Sequence, residues 1–175
     1  MEHQTAALSY DNMNATPALY VRGPSGRYKL ASDDMILAAG RMAAESLLPQ
    51  SQPVDNPQKV RKFFQSKLAG LGHECAAFLY LDSKFKPIRY MEQGLGTINQ
   101  ASVYPREIVK TALRLNAAAL IMAHNHPSGS SEPSMADLNL TQHLRKALAL
   151  IDVRFLDHVI VTASETISLA ERGEM

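Results

Sequence analysis

The feature that most constrains the fold is the continuous apolar run Ala117–Ala123. A run of this length with no polar residue to face water is typical of a strand that is buried on both faces. Such a strand needs helices on both sides of its sheet, and the segments around it alternate between strand-like and helix-like patterns. We therefore expect an α/β fold in which a central sheet is flanked by helices.

The remaining elements follow from hydrophobic patterning and from the positions of Pro and Gly. Further strands are predicted at 18–22, 75–81, 86–93 and 153–161, of which the second and third form a hairpin, and a short segment at 166–170 follows the last strand. Helices are predicted at 32–48, 58–69, 105–115 and 135–150. Residues 1–50 are interpreted as an N-terminal arm and helix, and residues 51–175 as the main domain.

Composition excludes several classes of protein. The formal net charge is +1, so the overall charge gives no indication of nucleic-acid binding. Cys75 is the single cysteine, which excludes an internal disulfide framework and any zinc site with two thiolates from one chain. No apolar run reaches the ~18–20 residues of a membrane span, and the polar start is unlike a signal peptide. We expect a cytoplasmic protein with no membrane partner.

Two histidines, His124 and His126, follow the apolar run directly. In open α/β sheets, ligands bind outside the carboxyl ends of strands. If the strand geometry continues, residues two apart point to the same side, and both imidazoles can bind one ion. A His-x-His pair alone is weak evidence, because such residues are often polar groups satisfied by hydrogen bonds.

Asp137 lies in the first turn of the next predicted helix and could bring a carboxylate to the same ion. Two His, one Asp and an open fourth position form the pattern of a catalytic rather than a structural zinc site. Ser134 with Asp137 also resembles a capping box, which would explain both residues without any chemistry. The two interpretations are compatible.

The whole string, His124-x-His126-Pro127 followed by Ser134-x-x-Asp137, resembles the JAMM (MPN-plus) metalloprotease signature. Neighbouring words resemble one branch of it, the RadC-like JAB-domain proteins: Gly96-Thr97, Tyr104-Pro105-Arg106-Glu107, Asn116-Ala117-Ala118-Ala119, Asp157-His158 and Ala170-Glu171-Arg172-Gly173. The resemblance covers about residues 55–175. It implies a JAB/MPN (cytidine-deaminase-like) mixed sheet with Zn²⁺ on His124, His126 and Asp137. The chain is similar to short members, and we expect no N-terminal helix-hairpin-helix region.

JAMM proteins also carry a glutamate just before a core strand, and Glu74 matches that position by resemblance. Glu107 is the rival, although an acid in a first helical turn is favoured by the helix dipole without any catalytic role. The resemblance implies amide hydrolysis of a peptide or protein conjugate by zinc-activated water. Glu74 would move the proton and the Ser134 hydroxyl would stabilise the oxyanion.

Other functions compete with this interpretation. RadC-like proteins are labelled as DNA-repair proteins, so a role in DNA processing without peptidase activity is an alternative, although the charge does not support DNA binding. A metal-free interaction module is a second alternative. A cytidine deaminase is excluded, because its zinc site needs a Pro-Cys-x-x-Cys motif and this chain has one cysteine.

His158 is a further histidine expected near the site, since it lies on the predicted strand 153–161. A fourth protein ligand would close the metal to water. We therefore predict a structural role for His158, or a role in orienting a ligand, with Asp157 and His158 orienting each other.

Overall fold

The computed structural model describes residues 18–95 and 103–175. Most of the predicted N-terminal arm, and the word Gly96-Thr97, lie outside the described residues. The chain divides into two units, Met1–Ala38 and Ala39–Met175. In the first unit, strands β1 (Tyr20–Arg22) and β2 (Tyr28–Leu30) pair as an antiparallel ribbon.

The second unit is built on a five-stranded mixed sheet in the order β4-β3-β5-β6-β7. Its strands are β3 (Cys75–Leu81), β4 (Pro87–Leu95), β5 (Ala119–Asn125), β6 (Arg154–Val161) and β7 (Thr166–Ser168). Only β5 and β6 pair in parallel, and the other neighbours are antiparallel. The predicted hairpin is thus confirmed as β3 and β4.

Helices cover both faces of this sheet, as the sequence predicts. These helices are α2 (Pro57–Leu68), α3 (Pro105–Arg114) and α4 (Met135–Ala149), whereas α1 (Asp33–Ala43) spans the boundary between the two units and has no buried residue. Buried side chains of α2 belong to the core on one face of the sheet, and those of α3 and α4 belong to the core on the other face. The predicted α/β class with a mixed sheet flanked by helices is confirmed.

Strand β5 is the central strand and is buried along its whole length. Ile121 and Ala123 pack in the core on the α2 face, whereas Leu120 and Met122 pack in the core that contains α3 and α4. This alternation explains why residues 119–123 of β5 are all apolar, since both faces of that part of the strand pack in a core.

Most element boundaries differ from the sequence prediction by one or two residues, and two elements show a local cause. The sequence predicts a first helix that reaches residue 48, but α1 ends at Ala43 and a 3₁₀ turn, Ala44–Leu47, follows it. The Ser46 hydroxyl donates to the Ala43 carbonyl oxygen at 2.7 Å, which is a local bond typical of a tightened helix end. β5 begins and ends two residues later than predicted. Its start is displaced because the Ala117 amide donates back to Ala112 of α3.

No helix among the residues that the structure describes is long and apolar enough to cross a membrane.

Candidate metal centre

The end of β5 and the start of α4 bring the three predicted ligands together. His124 lies within β5, and His126 remains strand-like because its backbone N–H donates to the Val161 carbonyl of β6 at 2.8 Å. One ligand atom each from His124, His126 and Asp137 lies within 4.8 Å of the others. The two histidine Nε2 atoms are 2.8 Å apart, and Asp137 Oδ1 is 3.1 Å from His124 Nε2. This group could hold a metal ion.

Ser134 is the N-cap of α4 and holds the Asp137 carboxylate in place. Its hydroxyl donates to Asp137 Oδ2 at 2.6 Å, and its backbone N–H donates to the same oxygen at 2.8 Å. The Asp137 backbone N–H donates in turn to Ser134 Oγ, which completes the capping box. Because both Ser134 bonds use Oδ2, Oδ1 is left to face His124. The cap and the ligand interpretations of these residues therefore hold together.

The charges of the cluster favour an ionised carboxylate. Burial alone would raise the pKa of Asp137, but its hydrogen bonds with His124 and His126 outweigh burial and hold that pKa well below its usual range. The hydrogen bond with Asp137 raises the pKa of His126 above its ordinary value, and burial opposes this rise only in part. The ionised carboxylate beside two imidazole rings makes the cluster a place where a positive charge is favoured.

The nitrogen lone pairs provide a test of whether the cluster suits a metal ion. His126 Nδ1 lies 2.7 Å from the Ser130 carbonyl oxygen, which can only accept, so Nδ1 carries the hydrogen. In the neutral ring, Nε2 is then an acceptor that faces His124 Nε2. Two imidazole nitrogens this close need a proton or a metal ion between them. Two imidazole nitrogens and one carboxylate oxygen match the donor set of catalytic zinc sites.

A cavity of about 600 Å³ opens onto the cluster and is lined by all five predicted site residues: Glu74, His124, His126, Ser134 and Asp137. Glu74 is half-buried at the entrance to β3, and its charge contributes to the raised pKa of His126. Glu107 is exposed on α3, where it pairs with Arg106 and Lys110, and it is not part of the cavity lining. Of the two candidate bases, Glu74 is the one that lines the cavity together with the ligands.

Comparison with known proteins identifies the family. Residues 54–174 match the family described as the RadC-like JAB domain. The chain belongs to this family. It is 51% identical over 151 residues to a UPF0758 protein of Methylibium petroleiphilum, covering 86% of this chain and 67% of that relative. It is 46% identical over 157 residues to a UPF0758 protein of Marinobacter nauticus, covering 90% of this chain and 70% of that relative.

Within this RadC-like JAB domain, Asn125 fixes the backbone on both sides of Glu74. Its side chain is buried and points away from the ligand face, as expected for the residue between His124 and His126 on a strand. Oδ1 accepts the Cys75 backbone N–H at 2.8 Å, and Nδ2 donates to the His73 carbonyl oxygen at 2.9 Å. These are the peptide groups that flank Glu74. The strand that carries the histidines therefore also positions the candidate base.

His158 is buried behind the ligands and does not face the cavity. Its Nε2 lies 2.7 Å from His124 Nδ1, and its Nδ1 lies 2.6 Å from the Thr141 hydroxyl of α4. Burial, followed by the charge of His124, holds the pKa of His158 well below its ordinary value. The predicted contact of His158 with a ligand is present in the structure.

The prediction that Asp157 and His158 orient each other is wrong. Asp157 Oδ2 accepts from the Ser168 hydroxyl at 2.7 Å, and Oδ1 accepts from the Ala170 backbone N–H at 3.1 Å. Neighbouring residues on a strand point to opposite faces, so two adjacent side chains on β6 meet different partners. Asp157 holds the turn after β7, and His158 contacts the ligand cluster.

The loop of residues 127–133 of the RadC-like domain is tied to the C-terminal turn. Both Arg172 terminal nitrogens donate to Glu132, at 3.3 Å and 3.0 Å, and Glu132 lines the cavity. The hydrogen bond from Arg172 lowers the pKa of Glu132. Glu174 Oε2 lies 3.2 Å from Arg172 Nε, so the guanidinium spans both carboxylates. Arg172, which belongs to the motif Ala170-Glu171-Arg172-Gly173, thus holds one wall of the cavity through Glu132.

Proposed function

We propose that this chain is a JAMM-type zinc metallohydrolase that cleaves an amide bond in a peptide or protein conjugate. The observation that carries the proposal is that the ligand group His124, His126 and Asp137 shares one cavity with the carboxylate of Glu74. When bound, zinc lowers the pKa of a coordinated water to about 7 and polarises a carbonyl group. Membership of the JAB family, some members of which are metallohydrolases, supports the same chemistry.

Glu74 is the proton carrier in this proposal. It takes a proton from the attacking water and returns it to the leaving amine nitrogen, as a general base and then a general acid. Its half-buried position beside His126 gives it access both to the cavity and to solvent. The hold of Asn125 on the peptide groups around Glu74 limits its movement relative to the histidines.

Ser134 has two successive tasks in the proposed reaction. In the structure its hydroxyl hydrogen is committed to Asp137 Oδ2. The Ser134 backbone N–H also donates to Oδ2, so the carboxylate stays held if the hydroxyl rotates away. A hydroxyl released in this way can donate to the oxygen that gains negative charge during amide attack.

The cavity lining supports a polypeptide substrate. Apolar side chains of Val103, Met122 and Leu140 line it together with the hydroxyl groups of Ser128 and Ser130. A peptide offers both apolar side chains and backbone groups that form hydrogen bonds, so it uses both kinds of surface.

The test combines zinc content with cleavage of a peptide library. Elemental analysis of protein purified without chelator should give one zinc per chain, and Asp137→Ala should lose it. Mass spectrometry of a proteome-derived peptide library should detect new N-termini with the zinc-loaded protein. Glu74→Gln should keep zinc and lose cleavage, whereas the matched control Glu107→Gln should keep both. Full cleavage by zinc-loaded Glu74→Gln contradicts the proposed base.

The same proteins distinguish the alternatives. If the zinc-loaded protein leaves the library intact but binds a DNA duplex in a salt-dependent way, the DNA-processing role replaces the hydrolase. Absence of zinc from the freshly purified protein, and no uptake on addition, would support the metal-free interaction module.

A further inference from the structure

We propose that Thr141 and His158 form a buried hydrogen-bond relay that fixes the ring of His124 in the tautomer needed to bind a metal through Nε2. Neither residue belongs to the ligand set, and both act through His124, so they are positioning residues. The role of this relay in metal binding rests on the proposed zinc site. The tautomer itself can be measured whether or not zinc binds.

The relay begins with the single hydroxyl hydrogen of Thr141. Thr141 Oγ1 lies 2.7 Å from the Asp137 carbonyl oxygen, one turn earlier in α4. A carbonyl oxygen can only accept, so the Thr141 hydroxyl donates its hydrogen there. Thr141 Oγ1 also lies 2.6 Å from His158 Nδ1. Since the hydroxyl has no second hydrogen, His158 Nδ1 must be the donor in that bond.

The hydrogen on His158 Nδ1 decides the next bond. His158 is 0% exposed, and both of its ring nitrogens contact polar groups that carry no negative charge, so the neutral ring is favoured. In a neutral imidazole with hydrogen on Nδ1, Nε2 is an acceptor. It lies 2.7 Å from His124 Nδ1, which therefore donates. With its Nδ1 hydrogen directed to His158, His124 presents Nε2 to His126 and Asp137, and Nε2 is the nitrogen that would bind a metal ion.

The two ligand histidines are thus oriented by different means. His126 donates from Nδ1 to the Ser130 carbonyl in the loop of residues 127–133, where Ser130 is exposed. His124 donates instead into a relay of side chains that are themselves 0% exposed, and the relay ends on the backbone of the residue that supplies the carboxylate. One ligand is therefore fixed by the interior of the domain, and the other depends on the loop.

The same geometry excludes His158 as a fourth ligand. The Nε2 atom of His158 is hydrogen-bonded to Nδ1 of His124. The other nitrogen of the His124 ring, Nε2, is the one that faces His126 and the proposed metal position. The relay therefore leaves the fourth position of the proposed site open while it uses a third histidine. A partner that accepts from the second nitrogen of a ligand histidine fixes the ring and makes it a stronger ligand.

The first measurement is the tautomer of His124 in the full chain, by long-range ¹⁵N–¹H correlation of the imidazole rings in chelator-treated protein. We expect His124 and His158 to carry hydrogen on Nδ1 in the wild type. Thr141→Ser keeps the hydroxyl and should keep both tautomers, whereas Thr141→Val should release the His158 ring. Hydrogen on Nε2 of His158 in the wild type overturns the relay.

The second measurement is zinc affinity, by competition with a chromophoric chelator. Loss of the partner of a ligand histidine weakens metal binding about 10- to 100-fold, so Thr141→Val, which frees the His158 ring, should weaken zinc binding by up to that factor. Thr141→Ser should restore the affinity. The matched control is Thr111→Val, which removes a buried threonine hydroxyl from α3 and should leave zinc affinity unchanged. Equal zinc affinity of Thr141→Val and the wild type overturns the relay. Fixed tautomers in a wild type that takes up no zinc would support the relay and contradict the proposed function instead.

Discussion

Replacement of Asn125 by Ala should lower the free energy of unfolding far more than replacement of a polar side chain usually does. The substitution removes one acceptor and one donor, whose bonds to Cys75 N–H and the His73 carbonyl measure 2.8 Å and 2.9 Å. Asn125 is only 3% exposed, so water replaces these partners poorly. Each buried group that loses its partner costs about 1–3 kcal/mol, and partial hydration of the His73 side lowers the sum to about 2–4 kcal/mol.

The assay is urea unfolding of the full chain, followed by far-UV circular dichroism, with and without zinc. The m-value should stay constant, so that the change in midpoint reports stability. Asn56→Ala is the matched control, since Asn56 caps α2 through bonds to the Gln58 and Lys59 backbone N–H groups at the surface. Loss of that cap should cost about 1 kcal/mol. If Asn125→Ala costs no more stability than Asn56→Ala, the side chain of Asn125 does not hold the Glu74 segment.

Three further predictions concern the thiol, the cavity wall and the metal. Burial and the charge of Glu92 raise the pKa of the Cys75 thiol to about 11. Above about pH 8.5 the thiol of the unfolded chain therefore loses a proton that the folded chain keeps. In urea unfolding from pH 8 to 10, the wild type should lose up to about 1.4 kcal/mol of stability per pH unit relative to Cys75→Ala. Parallel pH profiles of the two proteins would contradict the raised pKa. Arg172→Ala should leave the free energy of unfolding nearly unchanged, because ion pairs at the surface contribute little, but should speed proteolysis in the loop of residues 127–133. Unchanged cleavage there would show that Glu132 is not held by Arg172. In thermal unfolding, zinc at about 1,000 times its dissociation constant should stabilise the wild type by about 4 kcal/mol. The same zinc concentration should hardly stabilise Asp137→Ala. Equal stabilisation of both proteins would show that Asp137 is not a ligand.

Local patterns predict the parts of the site that depend on neighbours in sequence. His124 and His126 face the same side because they are two apart on a strand. Asp137 lies near them because α4 begins at a capping serine after a short loop. The strand, the cap and the loop length are all visible in the sequence.

Other contacts depend on pairing between distant strands, which no local pattern encodes. Asn125 reaches the Glu74 segment because β5 pairs with β3, and Ala76 lies opposite His124. His158 reaches His124 because β6 pairs in parallel with β5. The sequence places His158 near the site but assigns it the wrong partner, Asp157.

Thr141 was missed, although one signal was present. It lies four residues after Asp137, so both residues occupy the same side of α4. A buried threonine on the ligand-bearing side of a helix has a hydroxyl that needs a partner. That partner, His158, comes from a strand whose register the sequence alone does not specify.

The position of β5 against β3 has a consequence for how the domain folds. His124 lies on one face of β5 and Asn125 on the other, so a one-residue slip in register would exchange these faces. The chain then would present neither the nitrogen ligands nor the held glutamate to the cavity. Pairing of segments so distant along the chain is a slow event in folding. In a refolding experiment with a zinc-sensitive dye, the rate of zinc uptake would therefore report the closing of the central sheet rather than the encounter with the ion.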